Sequence, residues 1–289
     1  MHVARAARPV QDGMCRSIAR HAIGSLWDEL ALHPKPGLVS LRDAGAHDDM
    51  NASTFIASLF ALSRHFDALA AAGAARAPFA TLREIGIRAE ADMLAATGGI
   101  NTHRGAIFAL GLLCAAAGRA AAINEAPTDA MLRRILRSEW CDAIAAAGAA
   151  VPPFSHGASA AWRHGVAGAR GEACAAFPAV FEVALPALRR ALARGRDARL
   201  ARLSALFALL ESVADTNVLH RGGSAGLALV QRRAREFRSH GDVYAGDAIP
   251  RALAAHREFV DRGLSPGGTA DLLAASMLVH RLQRGVVTT

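Results

Sequence analysis

A chain of 289 residues that is 52% hydrophobic and 20% charged can bury a sizeable core, which excludes global disorder. The formal charge of +8 and a pI near 10.7 leave two partner classes open: nucleic acid or a membrane surface, and a polyanionic small molecule in a basic cleft. The densest basic run, Arg232, Arg233, Arg235 and Arg238, has Phe237 as its one aromatic neighbour and reads as a solvated helix face, not a nucleic-acid groove. Cys15, Cys114, Cys141 and Cys174 show neither metal nor redox spacing and suit a reducing compartment. The stretch "MHVARAARPVQDG" lacks the apolar centre of a signal peptide. The longest uncharged apolar run, Gly105 to Gly118, is shorter than the roughly 20 residues of a membrane span. A cytoplasmic protein without membrane or nucleic-acid partners is expected.

In chain order, Val10, Met14, Ile18, Ala22, Leu26 and Leu30, with Trp27 alongside, predict a first helix that stops at His33-Pro34. A second starts near Asn51 or Ser53 and carries Phe55, Ile56, Leu59, Phe60, Leu62, Phe66 and Leu69. Thr81 with Glu84 reads as a capping box for a third, which ends at Gly98-Gly99. Asn101 or Thr102 caps an apolar helix through Cys114, and Thr128 opens one through Ile144. Phe177 to Arg194 is predicted helical with a kink at Pro186. Asp197 caps a run through Val213 that reaches "DTNVLHRGG"; helices follow over Ser224 to Arg238 and Asp247 to Arg262. The last takes Ser265 as cap and Pro266 at its first helical position. No strand-like alternation, linker or repeat interrupts this pattern, so residues 1–289 read as one all-α domain of roughly ten helices with short connections.

The chemistry should lie at the helix boundaries. Three Gly-Gly pairs, Gly98-Gly99, Gly222-Gly223 and Gly267-Gly268, each sit beside polar residues at such a boundary. Glycine permits close backbone approach and positive φ, and a helix start offers free N–H groups to an anion. Ordinary capping explains any one pair; three together point to a site. Phosphate-loop, dinucleotide, HExxH, EF-hand and Gly-x-Ser-x-Gly signatures are missing from the sequence. Lys35 is the only lysine among 33 basic residues, and a compact ammonium suits phosphate where a guanidinium fork does not fit. Asp48 and Asp49, beside His47 at a helix entry, are capping residues or carboxylates for Mg²⁺, which takes a few carboxylates with phosphate oxygens and water.

"HPKPGLVS", "GAHDDM", "TGGINTHRGAIFALG", "DTNVLHRGG" and "SPGGTADLLA" together resemble, in order, the motifs of the triphosphoribosyl-dephospho-CoA synthases, from about Glu29 to Leu273. The resemblance implies an all-helical enzyme that transfers the triphosphoribosyl group of ATP to 3′-dephospho-CoA and releases adenine. Its product would be the precursor of the prosthetic group of malonate decarboxylase or citrate lyase, passed on to an acyl-carrier-protein phosphoribosyl-dephospho-CoA transferase. Citrate-lyase members typically have Asp where this chain has Ser40, and some carry a fused transferase domain, so the malonate decarboxylase branch is expected.

In such a reaction an oxocarbenium-like ribose needs a nearby carboxylate, the incoming 2′-hydroxyl needs a base, and adenine leaves better protonated. Asp48 and Asp49 are then expected to hold Mg²⁺ or to act as base and cation stabiliser, with His47 and His103 as proton-transfer groups. Lys35 and Arg104 would hold phosphates with Asn101 and Thr102, next to Gly98 and Gly99. Asp215, Asn217, Arg221, Gly222, Gly223 and Asp271 would complete the site. The motif often has Lys where this chain has Arg104. Glu29 and Glu90 are weaker choices, since a helical glutamate is commonly solvated. A homo-oligomer is compatible with these features. A helical Mg²⁺-dependent ADP-ribosyl hydrolase and, further off, a nucleic-acid-binding regulator are the alternatives.

Overall fold

The computed structural model describes residues 3–149 and 156–284, with side chains from Gly13 on except at 148, 149, 156 and 158. All its regular structure is helical. In chain order the α-helices are α1 (Val3–Ala31), α2 (Ala52–Ala74), α3 (Phe79–Ala96), α4 (Arg104–Ala122), α5 (Asp129–Glu139), α6 (Cys141–Ala149) and α7 (His156–His164). They continue as α8 (Gly168–Cys174), α9 (Leu185–Ala193), α10 (Ala198–Ser212), α11 (Thr216–Ser239), α12 (Ala248–Asp261) and α13 (Gly267–Arg284). One continuous core runs through them from Cys15 to Leu282.

α4 lies at the centre because it is apolar on nearly every side, and it packs on α1, α2, α3, α5 and α13. Its closest partner is α2. A Cβ on Gly118 would stand 2.0 Å from the Ala70 carbonyl oxygen, and one on Gly73 would stand 1.9 Å from that of Ala115. The two backbones therefore touch at a pair of glycines that no larger residue can replace without moving a helix. By length and composition α2 and α4 could each cross a membrane, but 72% of the apolar window of α4 is buried within the fold. Its hydrophobicity serves the core.

Several boundaries differ from those expected, for local reasons. Asn51 caps α2 and forms a capping box with Thr54, whereas α3 begins directly after Pro78, so Thr81 lies in its first turn and caps nothing. α4 continues to Ala122, past Cys114. The helix opened by Thr128 stops at Trp140, whose buried indole donates to the Ala77 carbonyl at 3.0 Å; α6 then starts afresh at Cys141. Pro186 has no N–H for a regular turn, and a π-helical segment, Ala179–Ala184, precedes it. α7 and α8, of nine and seven residues, are too short to declare an apolar period in the sequence. α11 starts at Thr216, earlier than Ser224, and breaks at Gly223, where φ is 59°. Val10 lies outside the described side chains.

Candidate active site

A cavity of about 970 Å³ opens where the first turns of α4, α11 and α13 meet the loop between α1 and α2. Lys35, His47, Asp49, Asn101 and Thr102 line it, as do His103, Arg104, Asn217, Arg221 and Asp271. Asp48, Gly98, Gly99, Asp215, Gly222 and Gly223 are not part of its wall. Gly98 and Gly99 end α3 with φ of 67° and 89°, and Gly222 is packed against Leu264. Glu29, Arg83, Glu90, Gly105, Arg170, Ser265 and the third pair, Gly267-Gly268, join the wall.

At the deep end, Lys35 is 1% exposed and donates to Glu29 Oε1 at 2.5 Å. Burial pushes Lys35 down and Glu29 up from their ordinary pKa values, each opposed by the attraction of the other. The loop that carries Lys35 is anchored by its own carbonyl, which accepts from His256 Nδ1 at 2.8 Å. Asp271, enclosed by protein yet open to the cavity, accepts from the Ala106 amide in the first turn of α4. This contact requires Gly105: a Cβ there would stand 2.0 Å from Asp271 Oδ2.

Asp215 sits just behind this wall. Its Oδ1 accepts from the amides of Asn217 and Val218 at 2.8 and 3.3 Å, capping α11. Its Oδ2 accepts from the amide and hydroxyl of Thr269 at 2.6 and 2.8 Å, capping α13. One carboxylate thus sets the relative position of two helix starts, and Ser265 is released from the capping role expected of it. Ser265 Oγ instead lies 2.8 Å from His47 Nε2. Gly268 leaves room for the Asp215 carboxylate, 3.3 Å from a Cβ there, and Gly267 for Asn217 Nδ2 at 2.6 Å.

The two histidines are differently held. His47 Nδ1 lies 3.1 Å from the Arg221 guanidinium and 3.4 Å from Asp49 Oδ1, while its Nε2 faces Ser265. Burial and then Arg221 lower the His47 pKa, against the pull of Asp49 and Asp48. His103 is 3% exposed, with Nδ1 2.7 Å from Ser58 Oγ and its ring edge-on to Phe55. Burial and the charge of Lys35 bring its pKa to about 3, so it is neutral at neutral pH. Around it, Thr102 Oγ1, His103 Nε2 and Arg104 Nε are buried polar atoms with no hydrogen-bond partner in the protein. Three successive residues at one helix start, on the cavity wall, thus each leave a polar atom without a partner in the protein.

Residues 15–288 match the family model described as CitG, ATP:dephospho-CoA triphosphoribosyl transferase. The chain belongs to this family. It is 39% identical to the 2-(5''-triphosphoribosyl)-3'-dephosphocoenzyme-A synthase of Klebsiella pneumoniae, covering 91% of this chain and 90% of that one. With the synthase of Pectobacterium atrosepticum the identity is 41%, over 89% of this chain and 86% of the relative. A "Probable 2-(5''-triphosphoribosyl)-3'-dephosphocoenzyme-A synthase" from Pseudomonas fluorescens Pf-5 is 40% identical, over 94% of this chain and 93% of its own. No solved structure matches the chain.

For a triphosphoribosyl transferase the charge layout is informative. Arg83, Arg104, Arg170 and Arg221 stand around the cavity wall, whereas Glu29 and Asp271 with Lys35 form its floor. Cations suit phosphates; carboxylates suit a positively charged ribose. Among the described residues no three His, Cys, Asp or Glu side chains converge as a metal cage. Asp49, 64% exposed on the cavity wall, offers one carboxylate, while Asp48 is exposed and off the wall. That donor set fits Mg²⁺ arriving on a triphosphate, since Mg²⁺ keeps several waters and takes one or two carboxylates besides phosphate oxygens.

Proposed function

We propose that this chain transfers the triphosphoribosyl group of ATP to 3′-dephospho-CoA, releases adenine, and so makes the prosthetic-group precursor for malonate decarboxylase. The observation that carries the reading is the meeting of three helix starts on one cavity lined by the family's motif residues, with orphaned polar atoms at the start of α4. Helix starts favour anions, and both substrates are polyanions. The triphosphate is held, not cleaved: Arg104 and Arg221 neutralise it, and Thr102 supplies a hydroxyl at the start of α4. Asp49 would hold Mg²⁺, which when bound screens the triphosphate charge. Lys35 acts from the floor, where burial removes it from solvent competition. Ser40, in place of the aspartate of citrate-lyase relatives, supports the malonate branch; its Oγ accepts from the amides of Arg42 and Asp43. The product would pass to a transferase that modifies the acyl-carrier protein, in the cytoplasm.

The test is product analysis. With Mg-ATP alone little adenine should appear. Adding 3′-dephospho-CoA should yield adenine in step with a heavier CoA derivative that retains all three transferred phosphates. ADP, AMP or pyrophosphate in place of adenine would make phosphoryl transfer the chemistry and end this reading; adenine without acceptor would favour a hydrolase. Deleting the gene in its host should leave the malonate decarboxylase carrier subunit unmodified, and a loss confined to citrate lyase would reassign the branch.

A further inference from the structure

Two carboxylates on the cavity wall, Glu29 and Asp271, and a third just behind it, Asp215, are unequally compensated. Asp215 receives four hydrogen bonds from two helix starts. Glu29 holds Lys35, the cation of this floor. Asp271 receives the Ala106 amide, is held against Gly105, and opens onto the cavity. We propose that Asp271 is the catalytic acid that hands a proton to the departing adenine, and that Glu29, itself held by Lys35, is a positioning residue behind it. The inference rests on the triphosphoribosyl-transfer reading.

The charges facing Asp271 support the assignment from each side. α1 presents Glu29, the following loop presents Lys35 already engaged by Glu29, and the start of α11 presents Asp215. From α4 come an amide and a neutral His103, while the guanidinium of Arg104 pairs with Glu90 of α3. Burial first, then Glu29 and Asp215, pushes Asp271 well above the usual carboxylate range, against the one amide bond.

The step balances without a redox partner. As the C1′–N9 bond breaks, its electron pair goes to the adenine ring, and a ring nitrogen takes the Asp271 proton. The 2′-oxygen of dephospho-CoA forms the C1′–O bond and loses its own proton, which restores the Asp271 carboxyl group through water. Between the two events the ionised carboxylate faces the cationic ribose and stabilises it.

The experiment is a pH profile of adenine release for wild type, Asp271→Asn and Glu29→Gln, with ATP binding measured by calorimetry. Asparagine can still accept from the Ala106 amide. Asp271→Asn should therefore bind ATP within about threefold of wild type yet lose about 10²-fold or more in kcat, the range for a missing general acid. Wild-type activity should fall as pH rises through the pKa of the acid, and this alkaline limb should vanish in Asp271→Asn. Glu29→Gln removes a negative neighbour, so the limb should move to lower pH. Turnover by Asp271→Asn within about tenfold of wild type, with its alkaline limb intact, would overturn the assignment. Should Asp271→Asn fail to fold, an unmoved limb in Glu29→Gln would overturn it equally. Wild type that releases no adenine would instead sink the functional reading itself.

Discussion

Replacing Lys35 by methionine removes a charge that is 1% exposed and strands Glu29, 4% exposed, without its 2.5 Å partner. Breaking a buried pair from one side costs about 3–5 kcal/mol, because the remaining charge is desolvated and unanswered. In a chain of this size each kcal/mol lowers the melting temperature by about 2–4 °C, so a drop of about 10 °C is expected. The loss depends on pH. Burial raises the Glu29 pKa above its unfolded value. The folded variant therefore binds the proton more tightly than the unfolded chain, and stability declines as pH rises from the ordinary carboxylate range to the raised value. At pH 5 the penalty should be smaller than at pH 7.5.

The double variant Glu29→Met, Lys35→Met decides what the pair is for. Desolvating two charges can cost more than their attraction returns, and both partners here are almost fully buried. Replacing both by apolar groups should then be neutral or stabilising by about 1–4 kcal/mol, while adenine release is lost. Urea denaturation followed by circular dichroism, with activity in parallel, measures all three proteins. A single variant that costs under about 1 kcal/mol, or a double variant no more stable than the single, would refute this account of the floor.

Asp215→Ala should cost about 1–4 kcal/mol, as two caps of about 0.5–2 kcal/mol each are lost at α11 and α13; a thermal melt that matches wild type would show that the caps are redundant. Asp49→Asn should keep the helical spectrum and melt but lose most turnover and need more Mg²⁺; activity within about threefold, under about 1 kcal/mol of barrier, would remove Asp49 from the mechanism. The His103 imidazole should show no NMR titration between pH 5 and 8, and acidification from about 6.5 towards about 3 should destabilise the fold, because there the unfolded chain alone takes up the proton. A His103 resonance that titrates near 6.5 would contradict its enclosure.

The all-helical architecture was legible because apolar residues at helical spacing mark the core-facing stripe of α1, α2, α10 and α13 wherever a helix is long enough to show a period. It failed where a helix is too short to show a period, as in α7 and α8, and where a tertiary contact stops a helix, as Trp140 does by reaching Ala77. Asp48 and Asp49 looked like a pair because they are adjacent, but adjacent side chains leave a backbone in different directions, and Asp49 is the one on the cavity wall. The glycine pairs were legible as boundaries and not as neighbours: Gly267-Gly268 lines the cavity, and Gly98-Gly99 ends a helix outside it.

Glu29 shows what a closer reading of the pattern reveals. It follows Leu26 by three residues and Ala22 by seven, which places it on the stripe that α1 buries, not on its solvated face. Asp271 precedes Ala275 by four and Leu278 by seven, the same placement on α13. A carboxylate on a buried stripe needs compensation, and a fold that supplies too little of it raises the pKa of that group. Lys35 compensates Glu29 and nothing comparable reaches Asp271. The lone lysine of an arginine-rich chain is therefore explained by the space it occupies: a compact ammonium 2.5 Å from a buried carboxylate, where a planar guanidinium would need several further acceptors.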